Sequence, residues 1–168
     1  MLLEKRTLTE LNTLDQDEWT AALGWIFEES PWVMHEAWLQ RPFSSVDHLH
    51  TLAMTCVQTA PREAQLALLM AHPDLGARAK LSEASQGEQS GAGLTSLTAE
   101  EFARLHSLNR AYRERFGFPF LYAVKGSGKH EILSALQQRL ENSPDQEFDE
   151  ALLQVFRIAR FRLEDTIS

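Results

Sequence analysis

The sequence predicts an all-α fold, a single compact domain over residues 1–168 with about seven or more helices packed like an orthogonal bundle. The first observation is composition. The chain has 25 Leu and 19 Ala but only 5 Val and 4 Ile, and Leu and Ala favour helices whereas β-branched residues favour strands. Second, helix-capping residues repeatedly precede apolar positions at helical spacing. Third, only residues 118–124 have the pattern of an extended segment, and one such segment cannot form a sheet.

Four helices are expected before residue 73, and each follows a recognisable start signal. These signals are Asp15-x-x-Glu18, Ser30-Pro31, Ser45 and Pro61. Apolar positions then recur at helical spacing: Trp19, Ala22, Leu23, Ile26 and Phe27 in the first helix, Leu49, Leu52, Ala53, Cys56 and Val57 in the third, and Leu66, Leu69 and Met70 in the fourth. The fourth helix must end near His72-Pro73, because proline disfavours helical backbone in the residue before it.

Three further helices are expected after residue 97. Their start signals are the capping box Thr98-x-x-Glu101, the turn before Ile132, and Ser143-Pro144-x-Gln146. Gly117 provides a stop for the first of them. Their inward positions are Phe102, Leu105, Tyr112 and Phe116; Ile132, Leu133, Leu136 and Leu140; and Phe148, Leu152, Val155, Ala159 and Leu163. Residues 82–96, rich in Ser, Gly, Ala and Gln, predict a surface loop, and a long loop in a compact helical domain is often functional.

Size and charge exclude several classes of protein. With 16 Lys and Arg against 24 Asp and Glu, the formal net charge is −8, which argues against nucleic-acid binding. No apolar run approaches the roughly 18 residues of a membrane span. The N-terminus lacks a signal-peptide pattern and the C-terminus lacks Ser-Lys-Leu, so we expect a cytoplasmic protein. The single cysteine, Cys56, excludes an internal disulfide framework.

Several kinds of catalytic site are also excluded. The sequence contains no His-Glu-x-x-His and no carboxylate cluster with metal-ligand spacing, so no metal site is expected. The run Gly126-Ser127-Gly128-Lys129 lacks the glycine spacing of a phosphate-binding loop. Cys56 falls on the apolar face of its helix and is expected in the core. Acid–base catalysis is the kind of chemistry that these exclusions leave open.

Four residues are candidates for that chemistry, each with an alternative. His72 lies where a helix must end, so its imidazole could face a cleft and transfer protons; alternatively, it binds the exposed carbonyls of that helix end. Glu88 could be the partner acid, although Ser85-x-x-Glu88 is also a capping box. Arg160 and Arg162 could be solvated charges, or one of them could bind a carboxylate or imide oxygen in a pocket.

Motifs along the whole chain resemble those of the 2-oxo-4-hydroxy-4-carboxy-5-ureidoimidazoline (OHCU) decarboxylases. The resemblance covers residues 19–165, and its strength lies in the order and spacing of the motifs together. They are Phe43-x-x-Val46-x-x-Leu49, His72-Pro73-Asp74-Leu75-Gly76, Ser85-x-x-Glu88-Gln89 with Ala92-Gly93-Leu94, Leu108-Asn109-x-x-Tyr112-x-x-x-Phe116-Gly117-Phe118-Pro119-Phe120, Val124-Lys125-Gly126, Arg139-Leu140-x-Asn142 and Ile158-Ala159-x-x-Arg162-Leu163.

The resemblance implies an all-helical carboxy-lyase of purine breakdown, usually a homodimer, that works without metal or organic cofactor. Its substrate would be the third intermediate between urate and allantoin, and its products (S)-allantoin and carbon dioxide. His72 and Glu88 match the family's catalytic pair, and Arg162 its late arginine. The matched substrate-binding positions are Pro73, Ser85, Gln86, Gly87, Glu88, Gln89, Phe118, Pro119, Phe120, Leu121, Tyr122, Ala123 and Val124.

Two other functions remain open at the level of sequence. A helical interaction module would explain the amphipathic helices but not a His-Pro-Asp turn followed by a polar segment with an acid. A different ureido or cyclic-amide enzyme of the same pathway, such as a hydrolase, would normally need a metal-bound water or a nucleophile. Convergence of the His72 and Glu88 segments in the fold would favour the decarboxylase.

Overall fold

A computed structural model describes residues 5–76 and 82–168. Within them lie nine α-helices and the short 3₁₀ helices Gly24–Ile26 and Trp38–Gln40, and no strand. The α-helices are α1 Leu8–Leu11, α2 Gln16–Leu23, α3 Trp32–Ala37, α4 Val46–Gln58, α5 Arg62–Met70, α6 Glu83–Gly91, α7 Ala99–Phe116, α8 Lys129–Arg139 and α9 Pro144–Thr166. The predicted all-α fold class is therefore confirmed, and residues 118–124 belong to no helix or strand.

Four of the seven predicted helix starts are confirmed by side-chain hydrogen bonds, the fourth of them at Ser143, whereas α3 follows Pro31 without a side-chain cap, so the predicted Ser30 cap is wrong. Asp15 and Glu18 form a reciprocal capping box at α2, and Thr98 and Glu101 form another at α7. The Ser45 hydroxyl accepts a hydrogen bond from the His48 N–H at the start of α4. These side chains satisfy N–H groups that have no partner within the helix itself.

The structure differs from the sequence prediction most clearly in residues 82–96. The loop predicted there is wrong, because Glu83–Gly91 form α6. Ser82 caps this helix by accepting a hydrogen bond from the Ser85 N–H, so the suggested capping box of Ser85 and Glu88 is also wrong. α6 has a mostly polar composition, which hides it from a search for apolar periodicity.

Two smaller differences concern α1 and α5. The four-residue α1, capped by Thr7, was not predicted because it is too short to show a period. In α5 the inward face contains Leu68 and Leu69, both fully buried, while Leu66 and Met70 are 40% and 44% exposed. Of the apolar positions noted in the sequence of this helix, only Leu69 therefore belongs to the buried face.

The chain divides into two compact units, Met1–Ala71 with Phe156–Ser168, and His72–Val155. The core of the first unit includes Trp19, whose indole N–H donates to the Met34 carbonyl at 2.8 Å and whose ring stacks on Phe43. The core of the second includes the fully buried Tyr112 and Phe120. No helix of the described residues is long and apolar enough to cross a membrane.

Candidate active site

His72 opens the second unit, two residues after the end of α5. The sequence suggested a histidine at an exposed helix end, but the residue is only 6% exposed. Pro73, next in the chain, is half-buried. An imidazole in such an environment is shielded from bulk water, as a group that transfers protons to a bound substrate must be.

The segment His72–Gly76, called the His72 turn below, is held by side chains from α6 and α7. The Asn109 amide donates to the Leu75 carbonyl at 2.9 Å, and the Gln89 side-chain oxygen accepts from the Gly76 N–H at 2.9 Å. Gly76 has φ +73°, and a Cβ there would come within 2.5 Å of a Leu105 methyl. Only glycine fits this position without strain. The turn is therefore held in one backbone conformation.

Asp74 completes this set of contacts. Its carboxylate accepts a hydrogen bond from the Arg113 Nε at 2.9 Å, and both side chains are about one-third exposed. The pair ties the polar side of the His72 turn to α7. A partly exposed ion pair adds little stability, so its main effect is orientation.

α6 presents Ser85, Glu88 and Gln89 toward the protein interior. Ser85 and Gln89 are buried, Glu88 is half-buried, and Gln86 and Gly87 are exposed. In a helix the main-chain N–H groups bond to carbonyls four residues earlier, as the Gln86 N–H does to Ser82 at 2.9 Å. Hydrogen bonds at the start of α6 thus engage the main-chain N–H groups of both Ser85 and Gln86.

The segment Phe118–Val124, which belongs to no helix or strand, begins where Gly117 ends α7 in the left-handed region, at φ +79°. Its apolar side chains are buried, with Phe118 and Phe120 packed edge-on against the Tyr112 ring. The Leu121 carbonyl accepts a hydrogen bond from Arg139. Among the described residues, none accepts a hydrogen bond from the N–H groups of Leu121 or Tyr122.

A buried polar network lies behind this segment, and sequence reasoning missed it. Glu147 is fully buried. The single Nε–H of Arg139 is shared between the two carboxylate oxygens of Glu147, at 3.0 and 3.1 Å, and the Arg139 Nη2 donates to this carboxylate at 2.9 Å. It also accepts from Asn142 at 2.9 Å and from the Tyr112 hydroxyl. The pKa of Tyr112 is raised well above its usual range, mainly by burial and next by its hydrogen bond to Glu147. The phenol therefore keeps its proton and remains a hydrogen-bond donor.

Arg162 lies on α9 within the first unit and is 4% exposed. Its guanidinium donates to the Glu28 carboxylate at 2.8 Å and to the Trp25 carbonyl at 3.2 Å. Glu28 is itself 3% exposed. A buried guanidinium held by a buried carboxylate has a fixed orientation.

Arg160 is in a different environment. It pairs with Asp47 and with Glu164, one turn further along α9, and these carboxylates raise its pKa, Glu164 most. The structure therefore separates the two candidate arginines into a buried one and one engaged in surface ion pairs.

The structure brings several of the sequence candidates into one unit. The His72 turn, α6 and Phe118–Val124 all belong to the second unit, and the bond between Gly76 and Gln89 joins the first two directly. Arg162 belongs to the other unit. Among the described residues, no group of three or more His, Cys, Asp or Glu side chains could hold a metal ion.

Comparison with known proteins gives concordant matches. A family model described as OHCU decarboxylase matches residues 12–164. The 2-oxo-4-hydroxy-4-carboxy-5-ureidoimidazoline decarboxylase of Haloferax volcanii is 45% identical over 166 residues, which are 99% of each chain.

Two solved structures share the fold. A crystal structure of (S)-allantoin synthase superposes with a TM-score of 0.78 at 34% identity. That match covers 96% of this chain and 54% of the other, so the chain spans about half the length of that protein. A crystal structure of OHCU decarboxylase in the presence of (S)-allantoin has a TM-score of 0.68 at 25% identity, over 88% of this chain and 94% of the other.

Proposed function

Because this chain belongs to the OHCU decarboxylase family, we propose that His72 and Glu88 are its catalytic pair and that it needs no cofactor. The reaction is the loss of carbon dioxide from 2-oxo-4-hydroxy-4-carboxy-5-ureidoimidazoline to give (S)-allantoin in urate degradation, and the protein is a carbon–carbon lyase.

The substrate supplies the electron sink that most decarboxylations take from a cofactor. Its ring contains an imine next to the carbon that bears the carboxylate. When that carbon–carbon bond breaks, carbon dioxide leaves and the electron pair moves into the imine, giving an enol-like intermediate. The protein then has to orient the carboxylate out of the ring plane, exclude water and deliver one proton.

His72 controls that proton. The imidazole is buried at the start of a turn that is held in one backbone conformation. It can accept the proton of the substrate hydroxyl, or give a proton to one face of the ureido-bearing carbon. Delivery of the proton to one face fixes the (S) configuration. Glu88 lies near the departing carboxylate or the ureido N–H groups. A carboxylate beside another carboxylate disfavours the charged ground state and eases departure as neutral gas.

The remaining contacts orient the ring. Free N–H groups of the Phe118–Val124 segment, with side chains of Ser85 and Gln89, bind the ring oxygens and amides. Arg162 binds the imide-like edge or the carboxylate with its fork; this role rests on the family resemblance and on the fixed orientation that Glu28 gives it.

The observation that carries the proposal is the hydrogen bond between the Gly76 N–H and the Gln89 side chain. It joins the turn that begins with His72 to the helix that contains Glu88. Ordinary helix packing does not require a buried glutamine to bind the N–H group of a glycine in a turn, whereas a site that needs both segments held together does.

The test is to generate the substrate in situ from urate and to follow optical activity. Addition of the protein should speed the formation of (S)-allantoin above the spontaneous rate, which yields racemate. An unchanged rate, or racemic allantoin alone, would contradict the function.

A homodimer and a cytoplasmic location are also proposed. The dimer follows from the family resemblance, and the lone cysteine means that no internal disulfide calls for an oxidising compartment. Sedimentation equilibrium should give about twice the chain mass of 19.1 kDa, and cell fractionation tests the location.

A further inference from the structure

We propose that Arg139 is a positioning residue, which sets the main chain of Phe118–Val124 for substrate binding and is itself oriented by Glu147. This inference rests on the proposed role of that segment in binding the substrate. Arg139 acts through the Leu121 main chain.

The need for such a device follows from the segment's backbone. A helix or a sheet fixes its own N–H groups through regular hydrogen bonds, but Phe118–Val124 forms neither. Main-chain donors can bind a small planar ring tightly only if they are held in place before it arrives. Side chains from outside the segment must therefore supply the constraint.

Two side chains supply this constraint, one by binding the main chain of Leu121 and the other by binding that of Ala123. Arg139 donates to the Leu121 carbonyl, and its guanidinium lies 4.5 Å from the centre of the Phe120 ring. The Gln154 side-chain oxygen accepts from the Ala123 N–H at 2.9 Å. These bonds use one carbonyl and one N–H, and leave the N–H groups of Leu121 and Tyr122 for a ligand.

Both side chains are themselves oriented. Glu147 binds the guanidinium edge through both carboxylate oxygens, which leaves the Nη1 to face Leu121. Gln154 donates its amide to Glu150, one turn earlier on α9, at 2.8 Å, so its oxygen faces Ala123. Arg139 is 8% exposed and Gln154 is 4% exposed, and polar side chains are costly to bury. Replacing a buried ion pair by apolar residues often leaves the stability of a protein unchanged or raises it. Stability alone is thus a weak reason for this pair.

The experiment compares substrate KM, kcat and melting temperature in three variants. Arg139→Lys keeps the charge, but an ammonium cannot bind both Glu147 oxygens and reach Leu121. The triple variant Arg139→Met, Glu147→Leu, Tyr112→Phe replaces the network by apolar groups of similar size. Leu136→Ala, at a fully buried position of the same helix, is the control that lowers stability without touching the network.

We expect KM to rise about tenfold or more in the lysine and triple variants with kcat within about threefold, since lost uniform binding raises KM. KM should stay unchanged in Leu136→Ala, whatever its melting temperature. A wild-type KM in the lysine or the triple variant would overturn the proposal. So would a KM that follows melting temperature across all three variants, or failure of both network variants to fold, because either means that Arg139 only stabilises.

A second measurement on the ligand-free protein separates this inference from the function. Amide hydrogen exchange of residues 118–124 should be faster in Arg139→Lys than in the wild type, and unchanged in Leu136→Ala. Faster exchange in a protein whose wild type forms no (S)-allantoin would disprove the function and keep the positioning. Equal exchange, with an active wild type, would overturn the positioning alone.

Discussion

At His72, burial changes what a single substitution can be expected to do. The side chain is 6% exposed, so truncation to alanine would combine a cavity with the loss of the imidazole. Asparagine keeps a polar side chain of related shape and cannot change its charge. It is therefore the substitution that isolates proton transfer.

His72→Asn should lower kcat by about 10²- to 10⁴-fold, the usual contribution of general acid–base catalysis, with helicity retained. The measurement is the initial rate of (S)-allantoin formation beside a circular dichroism spectrum. His106→Asn, at an exposed histidine of α7, serves as the matched control and should keep full activity. Activity of His72→Asn within about twofold of wild type would return His72 to a structural role.

Glu88 offers a sharper separation between chemistry and structure than its sequence suggested. Since Ser82 caps α6, Glu88 has no capping function to lose. Glu88→Gln keeps shape and helix propensity and removes only the charge. We expect kcat to fall by at least about 10²-fold at an unchanged melting temperature, and Glu83→Gln, exposed in the first turn of the same helix, to behave as wild type. A fall in both variants would implicate helix electrostatics instead.

Arg162 and Arg160 provide an internal comparison two residues apart. Replacing Arg162 by Lys removes the two-pronged contact that a guanidinium makes, so the Kd for (S)-allantoin should rise about tenfold. Arg160→Lys should change it little, because Arg160 is engaged with Asp47 and Glu164. Titration calorimetry of both variants decides between them. Equal losses would mean that both arginines shape the site, and a loss confined to Arg160 would reverse the assignment.

At the scale of helices, sequence patterns succeeded where the signal was local. Asp15 with Glu18, and Thr98 with Glu101, are three residues apart, so each capping box can be recognised from a short stretch. α6 was missed because two of its buried side chains, Ser85 and Gln89, are polar. A helix that turns polar groups inward shows no apolar period, and here that exception coincides with the candidate site.

The capping box of α7 also carries a charge whose effect depends on pH. The Glu101 carboxylate accepts hydrogen bonds from the Lys129 ammonium at 2.8 Å and from the Thr98 N–H at 2.9 Å. These contacts, Lys129 first, lower the pKa of Glu101 from 4.5 to about 2. A folded-state pKa below the unfolded value means that the stabilisation is fully present above pH 4.5 and is lost as the pH falls toward 2.

Glu101→Gln should therefore lower the melting temperature at neutral pH, and the difference from wild type should shrink between pH 4.5 and about 2. Glutamine still fits a capping box, so the charge is what changes. Lys129→Gln, which removes the largest single cause of the lowered pKa, should reduce this pH-dependent part, and the hydrogen bond from the Thr98 N–H should preserve the remainder. Melting curves recorded by circular dichroism across this range provide the check, and a difference that stays constant with pH would contradict it.

For the whole molecule, the fold class and seven of the described helices could be predicted from the sequence, and the polar networks could not. Glu147 and Arg139 lie on different helices, and Arg162 pairs with Glu28 across 134 residues of chain. No local sequence pattern predicts such pairs, because their side chains come together only when the helices pack. Residue chemistry alone selected His72, Glu88 and the two arginines as candidates but left an alternative for each, and the family resemblance favoured His72, Glu88 and Arg162.

The proposal that no cofactor is needed concerns the whole molecule, and it can be tested without any variant. In this mechanism the substrate's own imine accepts the electron pair. The protein therefore has only to orient the substrate, exclude water and deliver one proton. The described residues hold no set of three or more His, Cys, Asp or Glu side chains suited to a metal. Prolonged dialysis against a chelator, followed by removal of the chelator, should therefore leave the rate of (S)-allantoin formation unchanged. Loss of activity that zinc or magnesium restores would contradict the cofactor-free mechanism, whereas loss that no metal restores would point to damage during dialysis, which a melting curve of the same sample would reveal.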